Sequence, residues 1–579
     1  MTNDLIILLA LIPLAAGLIN ICLINRQKLS RTVGVVSYLA TLGLAVSLVL
    51  DISGQGTNHN DPNTILVSQL GGWTAPFGIT VVFDSLSGLL VCAAAAVALG
   101  AYVHSFSVID PAVERRYYHP LMQFLLFGVN LSFMTGDLFN LFVAFEIMLM
   151  ASYSLLVIGT GKAQMRQAYK YILLNVLAST VFLMGAGMVY GMFGTLNLAD
   201  LARIVAEIEA DPNRKLPPGF TALGVLFLLV FGLKGAFFPL WFWLPDTYYT
   251  VPISIAGLFG GLLTKVGVYT VARLFPLIFA SDGGQWIDGA YVVGTSDIIK
   301  TLLIVAAAFT MFLAVLGAVS QHNVRKILAI HVISQVGYMV FGIAVMSGHA
   351  LAGCAFYMIQ HMVVKCALFL CCGLMEKHAG TDDLDKLGGL LKRDWPLAVL
   401  FFIAAMSLVG LPPLSGFFGK MVIIREGFGQ GQWYLGVIGL VTGGLTLLSM
   451  LKIWSYGYWN PDRAPTAKPA KAVHTSSRAG YLGIAMLVIA ALFLGFGAGP
   501  VYKVAHRAGA QLTDREAYIT AVLGEAGYQE VDRLVDLYHR DPATHAQDPE
   551  SAIEQSASGH AEDADQISTA GTNQKEPGT

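Results

Sequence analysis

Charge is scarce in this chain: of 579 residues only 12% are Asp, Glu, Lys or Arg, while 55% are hydrophobic. A soluble globule carries roughly a quarter charged residues, so the shortage points away from a soluble domain and toward a polytopic membrane protein. No excess of one sign compensates. The formal net charge is −2, and with no basic stripe to neutralise phosphates, nucleic acid is excluded as a partner. The six cysteines (Cys22, Cys92, Cys354, Cys366, Cys371, Cys372) all sit in apolar runs, and none makes a CxxC or metal-ligand spacing. They read as small apolar side chains in helices. GxGxxG, Walker A, HExxH and iron–sulfur cysteine patterns are missing too, so no cofactor or ATP site is expected within the chain.

What the sequence does have is long apolar runs. Stretches of about 20 residues, enough to cross a bilayer, occur near 4–24, 31–50, 78–104, 119–136, 138–159, 167–193, 219–244, 251–278, 299–320, 327–346, 350–375, 394–425, 433–457 and 480–502. They predict an all-α polytopic membrane protein of about fourteen transmembrane helices. The first run has an acidic front and no small-residue cleavage site, so it reads as a retained span and not as a signal peptide. Lys and Arg cluster in alternate linkers, for example Arg26, Lys28 and Arg31, then Arg115 and Arg116, then Lys162, Arg166 and Lys170. That set holds eighteen basic residues against four in the other, which predicts both termini on the non-cytoplasmic side.

Helix breakers suggest an internal repeat. The seventh run contains Pro239 and Pro245, and the twelfth contains "GLPPLSGFFGK" with Gly410, Pro412, Pro413 and Gly416. Interior proline removes an intrahelical hydrogen bond and clashes with the preceding turn. Two interrupted helices five runs apart predict two inverted five-helix repeats, the pattern of transporters whose ion sites lie at midplane breaks. The expected layout is therefore helices 1–3 over 1–118, a first repeat over 119–278, a second over 279–458, a linker and last helix over 459–503, and an extramembrane tail over 504–579. The tail starts helix-like and ends in an acidic 541–579 stretch expected to be disordered. Residues 196–218 carry Leu198, Leu201, Ile204, Val205 and Ile208 at helical spacing, predicting an amphipathic surface helix. Gly257 and Gly261 form a GxxxG, a sign of close helix packing.

A titratable residue at a span centre costs roughly 2.5–3.5 kcal/mol on insertion scales, yet the chain places several there. They are Glu146, Lys234, Lys265, Lys365 and Lys420, joined by His331 and His361. His361 and Lys365 are four apart, hence on one helix face. Alternating lysine, glutamate and histidine across the midplane fits a proton path, because burial and neighbouring charge together set proton affinity. Structural readings stay open: Glu146 as the partner of one lysine, Lys265 and Lys420 snorkelling to an interface, Lys365 as a structural residue, and the histidines as hydrogen-bonded core residues. Asp84, Asp137 and Asp246 lie at run ends, where a carboxylate is cheap, and read as structural.

The segments "LFNLFVAFEIMLMASYSLL", "GLKGAFFPLWFWLPDTY", "GLLTKVGVYTVAR", "RKILAIHVISQVGYM", "HMVVKCALFL" and "GLPPLSGFFGK" together resemble the antiporter-like proton-translocating family. That family is shared by respiratory complex I, membrane-bound hydrogenases and Mrp-type multisubunit Na⁺/H⁺ antiporters, and the D-type Mrp subunits are the nearest branch. The resemblance spans about residues 78–460. It implies that Glu146 is the family's span-5 glutamate, Lys234 the broken-helix lysine and Lys265 the span-8 lysine. Lys365 becomes the lysine of the H-x-x-x-K helix, and Lys420 the end of the path. His331 falls where many relatives carry a small polar residue. The chain shows no long lateral helix of the kind found in the largest members.

The implied function is a transporter subunit and not an enzyme. It would exchange Na⁺ (K⁺ and Li⁺ being alternatives) for protons in the plasma membrane, alongside other membrane subunits and inactive alone. The alternatives are a proton-pumping subunit of a complex I-like or hydrogenase assembly, the membrane subunit of a bicarbonate-uptake complex, and a solute transporter acting alone.

Overall fold

The computed structural model describes residues 2–54, 64–159, 161–287, 290–461 and 478–524. The chain forms one body up to Val522, and the segment from Leu523 is a separate unit. The basic 462–477 part of the last linker and the tail beyond 524, including the acidic 541–579 stretch, lie outside the described residues.

The first part contains α1 (Thr2–Leu5), α2 (Leu8–Cys22), α3 (Gln27–Gly54), β1 (Leu66–Gln69), β2 (Thr80–Phe83), α4 (Ser85–Val108) and α5 (Pro111–Glu114). Next come α6 (Tyr118–Met134), α7 (Leu138–Val157), α8 (Lys162–Phe193), α9 (Leu198–Ala210), α10 (Phe220–Gly235), α11 (Leu244–Thr250) and α12 (Ile253–Ile278). After β3 (Ala280–Ile287) and β4 (Ala290–Thr295) follow α13 (Asp297–Ser320), α14 (Val324–Val345), α15 (Gly348–Ala379) and α16 (Leu390–Arg393). The described chain closes with α17 (Trp395–Val409), α18 (Ser415–Gly429), α19 (Trp433–Ile453), α20 (Arg478–Phe496) and α21 (Ala498–Thr513). Among the described residues ten helices are long and apolar enough to cross a membrane: α3, α4, α7, α8, α12 to α15, α19 and α20. α2, α10 and α17 are shorter apolar helices. Each apolar run of the sequence contains a helix or two helices parted by a break, and the run that begins at 78 opens with β2.

Short polar side chains start several of these helices by occupying first-turn N–H groups that have no intrahelical partner. Asp84 Oδ1 accepts from Ser87 N at 2.9 Å on α4, Asp137 from Asn140 N at 2.8 Å on α7, and Ser347 from Ala350 N at 3.0 Å on α15. α4, α12, α14 and α15 are buried along nearly their whole length and form the core. α3, α8, α13, α19 and α20 bury one face and expose large apolar side chains on the other. The GxxxG lies at a close crossing: a Cβ on Gly261 would stand 3.2 Å from the Met362 carbonyl of α15. That contact brings the Lys265 turn of α12 against the helix that carries His361 and Lys365.

Both expected helix breaks are present. α10 stops at Gly235, Ala236 takes a left-handed φ of 60°, and the chain resumes helix only at Leu244. The Trp243 indole donates to the freed Leu233 carbonyl at 3.0 Å, and Phe238 N donates to Thr310 Oγ1 at 2.8 Å. α17 ends at Gly410, φ 94°, five residues before α18 starts at Ser415. Such breaks are tolerated in apolar surroundings only where other groups satisfy the released backbone.

Three features depart from the sequence expectation. The fold is not purely helical: β1 pairs antiparallel with β2, and β3 with β4. The run that begins at 78 starts as the β-branched strand Thr80–Phe83, because the Asp84 cap fixes where helix begins. α9 forms as expected, but Leu198, Leu201, Val205 and Ile208 are buried against the protein. Asp84 is no cheap run-end carboxylate either: it is fully buried and pairs with Arg273 of α12 at 2.6 Å. Asp246, half-exposed near Lys326, fits the expectation.

Candidate functional site

Five of the seven titratable residues come together where α12 meets the helices of the second half of the chain. Lys265 (α12), His331 (α14), His361 and Lys365 (α15) and Lys420 (α18) are all buried. Lys265, Lys365, Lys420 and His331 each lie close enough to His361 to act on it electrostatically. Helical spacing on α15 sets Tyr357, His361 and Lys365 along one face, toward α12 on one side and α18 on the other.

Their hydrogen bonding is uneven. Lys265 Nζ donates to the Gly260 carbonyl at 2.5 Å and to Thr264 Oγ1 at 3.2 Å. Lys420 Nζ donates to the carbonyls of Leu408 and Val409, at 2.9 and 3.1 Å. Those are the last two residues of α17, so the ammonium faces the negative end of a helix dipole. It also lies 4.6 Å from the Tyr338 ring centre and 5.7 Å from that of Tyr357, a cation–π arrangement. Among the described residues Lys365 Nζ and both ring nitrogens of His361 have no hydrogen-bond partner. Buried polar groups are rarely left so; in membrane proteins they mark wetted or proton-exchanging positions.

His331 belongs to a polar thread that leads to Lys420. Its Nε2 is 2.8 Å from Ser449 Oγ of α19, and its Nδ1 is 3.3 Å from Ser334 Oγ. Gln335 Nε2 donates to Ser334 Oγ at 2.9 Å and to Thr446 Oγ1 at 3.4 Å. The Tyr357 hydroxyl donates to Gln335 Oε1 at 2.5 Å, and its ring is one of the two beside the Lys420 ammonium.

Glu146 and Lys234 form a separate group around the first break. Lys234, in the last turn of α10, donates to Ser179 Oγ of α8 at 3.2 Å and stands 4.7 Å from the centre of the Phe145 ring. Glu146 acts electrostatically on Lys234, but the two make no ion pair within 4.0 Å, and among the described residues Glu146 Oε1 has no hydrogen-bond partner. Expected as a buried carboxylate, Glu146 is half-buried. Between the two groups α10 and α12 touch backbone to backbone: a Cβ on Gly267 would stand 2.6 Å from Gly235 N.

Sequence reasoning missed the polar residues that link these groups: Ser179, Gln335, Tyr338, Tyr357, Thr446 and Ser449. Two had a usable signal, since Tyr357 lies four residues before His361 and Gln335 four after His331. Tyr338 also shares α14 with His331, seven residues on, whereas Ser179, Thr446 and Ser449 come from other helices, where spacing alone does not reveal them.

Residues 135–446 match the family described as NADH:quinone oxidoreductase/Mrp antiporter, TM. The chain belongs to this family of multi-pass membrane proteins. It is 41% identical over 529 residues to the D-type subunit of the Na⁺/H⁺ antiporter of Alkalihalophilus pseudofirmus, covering 90% of this chain and all of the relative. Identity to the corresponding D-type antiporter chain of Bacillus subtilis is 38% over 523 residues, again 90% of this chain and 100% of the relative. Among solved structures, a chain of the Mrp complex from Dietzia sp. DQ12-45-1b superposes with a TM-score of 0.77 at 29% identity, covering 90% and 99% of the two chains.

Proposed function

We propose that this chain is a membrane subunit of a multisubunit cation/proton antiporter and that it carries the proton path. Protons pass along Glu146, Lys234 and Lys265, then through His361 and Lys365 to Lys420, with His331 as a side branch. The exchanged ion is Na⁺, in line with the names of its relatives, and the working unit includes other membrane subunits. The short and broken helices complete fourteen crossings in two inverted five-helix repeats. Linker charge sets both termini on the non-cytoplasmic side.

One observation carries this reading: Lys365 and His361 are buried without protein partners among three further titratable groups. A permanently charged, unsolvated ammonium there would be prohibitively costly. A group that gives and takes protons through water is tolerable, and neighbours this close titrate as a coupled set. Lys234 joins the set through the helix break, where chain irregularity admits polar groups.

The test is Lys234→Ala in the full antiporter complex, assayed as Na⁺-dependent dissipation of a pH gradient in everted vesicles. The expected result is loss of exchange with the complex still assembled. Undiminished exchange in the assembled variant refutes the path.

A further inference from the structure

A cavity of about 590 Å³ opens at one end of the helix bundle, away from the titratable site. Its walls are the α2–α3 turn, Ile24 to Leu29, and Arg115 just after α5. Three of the lining side chains, Arg26, Lys28 and Arg115, are cationic and exposed. Among the described residues none of the three makes an ion pair. The first turn of α3 forms part of the same wall.

The cations converge because a buried clamp ties the two loops together. Arg31 donates to both oxygens of Glu114, at 2.6 and 2.7 Å, and His119 Nε2 lies 2.9 Å from Glu114 Oε1. His119 is held in turn by Tyr102, 2.6 Å from its Nδ1, and by Gln27, 3.1 Å from its Nε2. Burial opposes ionisation of Glu114, but the hydrogen bonds from His119 and Arg31 outweigh it and hold the carboxyl at about 2. The local carboxylate is therefore already engaged by Arg31 and His119, and Arg26, Lys28 and Arg115 are left facing the cavity.

We propose that this cavity binds the phosphate headgroup of an anionic phospholipid, with the acyl chains lying along α3. The apolar stripe that begins beside the cavity supports a lipid over free phosphate: Leu29, Val36 and Leu39 are 44%, 58% and 51% exposed on one side of α3. The linkers that carry the cations belong to the basic set, which faces the leaflet where anionic lipid attracts Lys and Arg. Each basic side chain near such a surface strengthens binding about fivefold, so the three together supply ~100-fold.

The test uses the purified full-length chain and titrates phosphatidylglycerol, phosphatidylcholine and inorganic phosphate by native mass spectrometry. Preferential retention of phosphatidylglycerol is expected, falling by ~100-fold in the Arg26→Gln/Lys28→Gln/Arg115→Gln variant. The control Lys162→Gln/Arg166→Gln, which removes exposed cations of another basic linker, leaves retention unchanged. A thermal unfolding midpoint matching the wild type shows that the triple variant is folded; if it is not, the single substitutions are read in its place. Equal retention of the two lipids, or an equal loss in the control, overturns the site. Displacement by inorganic phosphate at concentrations comparable to the lipid overturns the lipid assignment and leaves a free-phosphate site.

Discussion

Lys420 offers a sharp separation of structural from conducting roles. Its ammonium closes the end of α17 through two carbonyls and sits beside two tyrosine rings. Lys420→Met removes all four contacts. Charge-assisted bonds contribute about 1.5–3 kcal/mol each, and ring contacts ~0.5–2 kcal/mol. Against that, deleting a buried charge relieves about 2.5–3.5 kcal/mol of insertion cost. The losses outweigh the relief by about 1–7 kcal/mol, so the methionine variant is destabilised and its exchange is measured on the complex that assembles. Lys420→Arg keeps the charge and the donors, but a guanidinium does not give up its proton in proteins. Removing a positioned proton carrier slows a step by roughly 10²–10⁴-fold. Proton-driven exchange in everted vesicles therefore falls in both variants, while thermal unfolding in detergent falls mainly for methionine. A wild-type exchange rate in Lys420→Arg would mean that the residue only plugs a helix end, and the path would have to end elsewhere.

Two further outcomes follow from other parts of the fold. Gly267→Val cannot be accommodated by a side-chain shift, because its Cβ would meet Gly235 N at 2.6 Å and the Phe231 carbonyl at 2.9 Å. Overpacking of this kind costs about 1–3 kcal/mol, and it would displace the turn that carries Lys234, so exchange should drop together with the unfolding temperature. At the other end of the bundle, the folded-state value of Glu114, about 2, is below its ordinary 4.5. Its contribution to stability is complete above the ordinary value and is lost as pH falls from there toward the folded one. Unfolding temperature measured against pH should decline over that interval in the wild type, and Glu114→Gln should remove that part of the decline.

Much of this could be read from residue order alone. Pro239, Pro245 and the Gly410–Gly416 cluster announce breaks because their effect is local: ring, missing N–H and permitted φ act within one turn. Lysines in apolar runs stand out for the same reason. The two β-hairpins were hidden inside or between apolar runs: in β2 the four β-branched or aromatic residues Thr80–Phe83 read equally well as helix or strand. The Asp84–Arg273 pair was invisible because its partners are 189 positions apart and each looks like an ordinary run end. Ser449 was missed on similar grounds, 118 positions from the His331 it meets. A lone polar residue in a membrane helix gains meaning only from the helix that packs against it.

The two breaks hold their lysines from opposite sides. Lys234 stands on the helix before its break, whereas Lys420 stands after its own and reaches back across the gap. Both ammonium groups nevertheless end beside an aromatic ring and on neutral acceptors, the last two carbonyls of α17 for Lys420 and Ser179 Oγ for Lys234. An unbroken helix offers a lysine only carbonyls that already accept one intrahelical bond, as Gly260 does for Lys265 on α12. The second break releases carbonyls, and these hold the Lys420 ammonium without pairing it to a fixed negative charge. An ion pair with a buried carboxylate would be strong but hard to open. Neutral acceptors and ring faces hold the charged form more loosely, which suits a residue that must lose its proton as readily as it gains it. The prolines and the lysines thus form one device, and a substitution that restores continuous helix at either break should silence the lysine beside it even with that lysine intact.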